Sequence, residues 1–166
     1  CYDVTEDLEY VTFDGKNEKS VSPDEAFWSD EISIDVKDGK YLVWEWRITG
    51  DGIPCTPDSR TPTFIDFGEG FIRYDSCPMP NFIGCDKKVK KRIAFVGDSI
   101  TQGCGTSLDG YAMWVGRIGK MLKDEYAVWN LGLGFSRGSD CATMGSLMYK
   151  AKQNDIVVLT YGVNDL

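Results

Sequence analysis

The chain has 166 residues, 42% of them hydrophobic, 27% charged and 13% aromatic, with a formal net charge of −8. That is the composition of one globular domain or two small ones, not of a disordered or collagen-like chain, and no apolar run approaches a membrane span. The acidic excess works against general binding to nucleic acid or anionic membrane, and the absence of histidine denies these residues a Ser-His-Asp triad, a Cys-His pair or a His-containing metal site.

The first half reads as β. Residues 8–13 (LEYVTF) form a short strand candidate. Ile32, Ile34 and Val36 then alternate with Ser33, Asp35 and Lys37, the period-2 pattern of a half-buried strand. Asp38-Gly39 suits a tight turn, and Leu42, Trp44, Trp46 and Ile48 continue the alternation on the other side. Residues 63–67 and 70–75 are further short strands bounded by Gly, Asp and Pro. Together these predict a small β-sandwich, jelly-roll-like, over 1–89. The aromatics Trp28, Trp44 and Trp46 read as its core, with a sugar-stacking platform as the other reading.

Residues 76–91 form a connector, with Pro78 and Pro80 and the start of a basic run from Lys87 to Arg92. Without interleaved aromatics that run reads as a solvated linker rather than a phosphate patch. From 92 onward the pattern changes to α/β. Residues 93–97 (IAFVG) are an apolar run suited to a strand buried on both faces. Asp109 can cap a helix carrying Tyr111, Trp114, Val115, Ile118 and Leu122 on one face. Strand 126–131, a helix over 139–152 weakened by Gly145, and strand 155–161 follow. The order implies right-handed crossovers and a parallel sheet whose site lies at the strands' carboxyl ends.

Each of those ends carries an unusual loop: Gly97-Asp98-Ser99-Ile100-Thr101-Gln102-Gly103, Asn130-Leu131-Gly132-Leu133-Gly134, and Gly162-Val163-Asn164-Asp165. A hydroxyl, glycine N–H groups able to approach a substrate closely, and a neutral carboxamide converge there. That is equipment for acyl transfer, a nucleophile with donors aimed at a developing oxyanion. A bland reading of Ser99 is a helix cap. A dinucleotide fold would need G-x-G-x-x-G, and a P-loop would need its lysine; neither pattern is present.

GDSITQG, then N-x-G with further glycines, then G-x-N-D resembles the first three blocks of the GDSL/SGNH hydrolases. The resemblance implies an incomplete three-layer, flavodoxin-like parallel sheet over 92–166 behind the β-sandwich. It also implies Ser99 as nucleophile, with an oxyanion hole from the Ser99 N–H, a second-block glycine and Asn164. Gly132 and Gly134 compete equally for that glycine, with Gly138 third; Asp98, Thr101 and Asp165 hold the loops. The family's D-x-x-H block is absent and the chain stops two residues after Asn164, so a fragment nearly inactive alone is expected. A sandwich ahead of the hydrolase is similar to carbohydrate esterases that remove acetyl groups, which implies small acyl esters, carbohydrate esters among them. A non-catalytic ester- or carbohydrate-binding module is the alternative.

The six cysteines show no C-x-x-C pair, so free thiols are expected rather than zinc or a disulfide framework. Neither cofactor nor metal is expected, and the partners are a small-molecule or carbohydrate ester and the missing remainder of the hydrolase domain. Free thiols, with no basic-then-apolar stretch near Cys1, point to a cytoplasmic setting.

Overall fold

The computed structural model describes residues 8–36, 41–53, 55–56, 60–109 and 111–166. They fall into two compact units, Cys1–Thr49 and Gly50–Leu166.

In the first unit the described residues form no strand, only an isolated bridge between Phe13 and Lys16. Asp30 organises that turn: its carboxylate accepts from Thr12 Oγ1 at 2.6 Å and from the backbone N–H groups of Asp14 and Gly15. These bonds, the Thr12 hydroxyl first, hold its pKa below the usual carboxylate range. Phe13 meets Phe27 edge-on, with centroids 5.6 Å apart. The hairpin expected over 32–48 is not formed among the described residues, and its Asp38-Gly39 turn lies outside them. Nor does the strand expected over 8–13 appear, so the sandwich is not seen. The physical reason is visible in Trp28, Trp44 and Trp46, which stay 67%, 38% and 42% exposed. Alternation supplies an apolar face, but a two-stranded ribbon is marginal until a third strand or another layer covers it.

The second unit begins with an antiparallel pair, β1 (Phe64–Asp66) and β2 (Phe71–Arg73), within the short strands expected over 63–67 and 70–75. The Asp66 carboxylate accepts from Gly68 and Gly70 N–H and shapes the turn between them. The connector is more than a solvated linker, because Phe82 packs edge-on against Trp129 and Tyr149. Its basic run meets carboxylates: Lys87 with Asp124, Lys90 with Glu125, and Arg92 with Asp155.

The expected parallel sheet follows, with β3 (Lys91–Gly97) between β4 (Tyr126–Gly132) and β5 (Ile156–Thr160). Its period of two sorts side chains to opposite faces. Phe95 faces Met113 and Val115 with Ile93, Val128 and Val158, beneath helix α2 (Trp114–Leu122). Ala94 and Val96 face Leu131, Cys141 and Ala151, beneath α3 (Gly138–Thr143) and α4 (Gly145–Lys152). Helices on both faces make three layers, which explains why β3 reads as continuously apolar.

Two helix expectations change. Helix α2 starts at Trp114 instead of 109–111, because Asp109 and Tyr111 have φ of 62° and 48°, and the Asp109 carboxylate pairs with Arg73. The helix expected over 139–152 is broken at Met144, which has ψ of 87°, just ahead of the unfavourable Gly145. Cys55, Cys77, Cys85, Cys104 and Cys141 are free thiols, with Cys77 and Cys141 buried. Among the described residues no helix is long and apolar enough to cross a membrane.

Candidate active site at the carboxyl ends of the sheet

Strand β3 stops at Gly97 and the chain turns directly into a short helix, α1 (Ser99–Gln102). Its cap is Asp98, not Ser99. Only 2% exposed, Asp98 accepts from the Ile100 N–H at 3.0 Å. That leaves Ser99 in the first helical position with no hydrogen bond to its hydroxyl among the described residues. Ser99 lines a cavity of about 230 Å³ together with Arg60, Gln102, Cys104, Gly134 and Phe135.

Helix α1 is fastened from below and from the side. Thr101, 1% exposed, places its hydroxyl 2.5 Å from that of Thr160 at the end of β5, and Thr160 donates onward to the Val96 carbonyl. This hydroxyl pair occupies the space above Gly97, where a Cβ would fall 2.2 Å from Thr160 Oγ1. Asn130 Nδ2 donates to the carbonyl of Thr101 at 2.9 Å, while its Oδ1 accepts from the Gly132 N–H at the same distance. A Cβ on Gly132 would lie 2.1 Å from the Gln102 nitrogen. Gly132 therefore lets the end of β4 approach the backbone of α1, and its N–H is already committed.

Gly134, two residues on, is placed differently. It lines the cavity beside Ser99, and its N–H has no partner among the described residues. The adjoining Phe135 is held at φ 62° and is 86% exposed. Ser136 is buried and anchors the loop, with Oγ donating to the Leu133 carbonyl at 2.6 Å.

The third loop ties to this same segment. Asn164 Nδ2 donates to the Ser136 carbonyl at 3.0 Å, and Asp165 Oδ1 accepts from the Gly138 N–H at 2.9 Å. Gly138 is thus spent on a loop-to-loop bond, and Asn164 is not among the residues lining the cavity. Tyr161, the residue after β5, has its phenol pushed up to about 12, chiefly by burial. It stays protonated at neutral pH.

Two residues escaped the sequence reading. Asn130 stood in the N-x-G pattern, but its bridge between α1 and Gly132 depends on the register of β4 beside β3. Arg60 carried no local signal at all. Its backbone carbonyl accepts from the Asp109 N–H at 3.2 Å, and its Nη2 donates to the Thr106 carbonyl at 2.5 Å. Arg73 pairs with Asp109 through both guanidinium nitrogens at 2.8 and 3.1 Å. The segment ahead of the sheet thus braces the loop after α1. Among the described residues no cluster of acidic, histidine or cysteine side chains could hold a metal ion.

No curated protein and no solved structure gives a significant match to the chain. Residues 95–166 match the model of the GDSL-like Lipase/Acylhydrolase family. That span begins within β3 and takes in all three loops, so this segment of the chain is similar to that hydrolase family.

Proposed function

We propose that the second unit is the nucleophile-bearing part of a serine esterase that cleaves small acyl esters, acetyl esters of carbohydrates among them. The reading rests on one observation. The Ser99 hydroxyl, unspent because Asp98 does the capping, shares a cavity with the unspent N–H of Gly134. Ser99 Oγ would attack the ester carbonyl, and the resulting oxyanion would sit against the N–H groups of Ser99 and Gly134. Gly134 is preferred to Gly132 because the latter's N–H already serves Asn130. Asn164 would complete the hole with the amide N–H not taken by Ser136, after its side chain turns toward the substrate. Each such donor is worth about 3 kcal/mol of barrier. A cavity of about 230 Å³ lies below the ~300–1,000 Å³ of drug-sized pockets, which favours short acyl groups.

The Ser99 proton must go to a base, and these 166 residues contain no histidine. Collapse of the tetrahedral adduct must also return a proton to the leaving alcohol. Turnover by this chain alone is therefore expected to be residual, because an un-ionised serine is a weak nucleophile. An activated organophosphonate is the decisive reagent, since it reads nucleophile and hole without requiring turnover. At alkaline pH, where hydroxide takes the Ser99 proton, mass spectrometry is expected to find one adduct, on Ser99, absent in Ser99→Ala; labelling elsewhere or none overturns the reading. A binding module that never acylates is the second reading. It is favoured by the missing histidine and by the Asn164 amide resting on Ser136, and it predicts ester binding without an adduct.

A further inference from the structure

We infer that Arg60 makes this cavity a subsite for a carboxylate, so that the preferred ester carries an anionic group beside its scissile bond. Among the described residues the cavity lining holds one charged side chain, and it is a cation: Arg60, beside Ser99, Gln102, Cys104, Gly134 and Phe135. That is unexpected in a chain of net charge −8.

The neighbouring cation shows what Arg60 lacks. Arg73 is neutralised by Asp109 through a two-bonded pair. Arg60 takes part in no ion pair among the described residues. Among the described residues only its Nη2 meets acceptors, the carbonyl and hydroxyl of Thr106. Its Nε is buried and has no partner. Guanidinium offers five N–H donors, and a buried one without an acceptor is costly. A carboxylate in the cavity supplies the missing charge and an acceptor for Nη1, which has no partner among the described residues and, unlike Nε, is not buried.

The cation is also held in place. Its own carbonyl accepts from the Asp109 N–H, Nη2 is fixed on Thr106, and the Thr106 hydroxyl donates to the Gly103 carbonyl at the end of α1. Arg60 is thereby tied to the same short helix that presents Ser99, so the anion site and the nucleophile keep a constant relation. Pre-organisation of this kind makes charge selectivity cheap, because little side-chain entropy remains to be lost on binding.

Calling the ligand an ester rests on the acylation role proposed for Ser99; the anion preference itself does not. The test therefore measures binding, on the whole 166-residue chain and on its Ser99→Ala variant, by NMR titration. Acetoxyacetate is compared with its neutral methyl ester, two probes that differ in one charge. Acetoxyacetate is expected to bind at least ~10-fold tighter at low ionic strength, with the margin shrinking as salt is added. Arg60→Gln is expected to erase the margin, so that the two esters bind equally. Arg60→Lys, which keeps charge but loses the fork, should retain part of it. Equal binding of the two esters, no binding of either, or a margin that survives Arg60→Gln overturns the inference. If Arg60→Gln does not fold, the wild-type margin and its salt dependence decide alone. A margin present with Ser99 unlabelled by phosphonate would sink the esterase reading and leave the anion site standing; labelling without a margin would do the reverse.

Discussion

Residues 32–48 and residues 91–97 are both apolar enough to read as strands, yet among the described residues only the second stretch forms one. The difference lies in who supplies the partner. Strand β3 is followed in sequence by α1, α2 and β4, then by α3, α4 and β5, so each face and each edge is covered by what comes next. A βαβ unit carries its own second and third layers. The 32–48 stretch carries only an alternating face, and among the described residues 8–49 no side chain is fully buried. Patterning states which residues want burial, and only the rest of the fold provides somewhere to bury them.

The sharpest way to break this contrast is Gly132→Ala. A methyl group there meets the α1 backbone, with no flexible side chain able to move aside. Overpacking against rigid backbone costs about 1–3 kcal/mol and occasionally more; the upper end is expected, read as a lower urea midpoint of the second unit. A loss below ~1 kcal/mol would mean that the β4–α1 approach is looser than described. Asp98→Ala comes next. Removing an N-cap costs about 1 kcal/mol, and Asp98→Asn, which keeps an acceptor for the Ile100 N–H, should recover most of it. Equal destabilisation by both would point to the carboxylate's charge rather than its capping bond. The smallest effect belongs to the first unit. Trp46→Ala is expected to shift stability by ~0.5 kcal/mol or less, as a partly exposed surface change does. A loss of ~3–5 kcal/mol, the value for a core aromatic, would show that residues 32–48 do pack as a sandwich core.

The legible elements were those with dense local signals. The expected strands 93–97, 126–131 and 155–161 form as β3, β4 and β5, each within two residues of those bounds. Element ends were harder to read. The start of α2 moved because Arg73, distant in sequence, draws the Asp109 carboxylate away from any capping role. The break at Met144 follows from the weakness of Gly145, a local signal that predicts a poorer helix without dividing it. Phe82 sat in a proline-bearing connector, and nothing local marks it as packed on Trp129.

For the candidate site, the chain by itself settled which chemistry was on offer: a serine after the first buried strand, glycines after the second, an asparagine and an aspartate after the third, and no histidine. It could not rank the glycines, because the fate of an N–H depends on what lies across space from it. The register of β4 puts Asn130 beneath α1 and spends the Gly132 donor, while Gly134 reaches the cavity with its own donor intact. Nor could it find Arg60, whose meaning comes from Thr106 and Ser99 far along the chain. Residue type and order are local properties and are written in the sequence. Which donor is spent, and which charge is left without a partner, is decided only when the strands have taken their register and the loops have closed on one another.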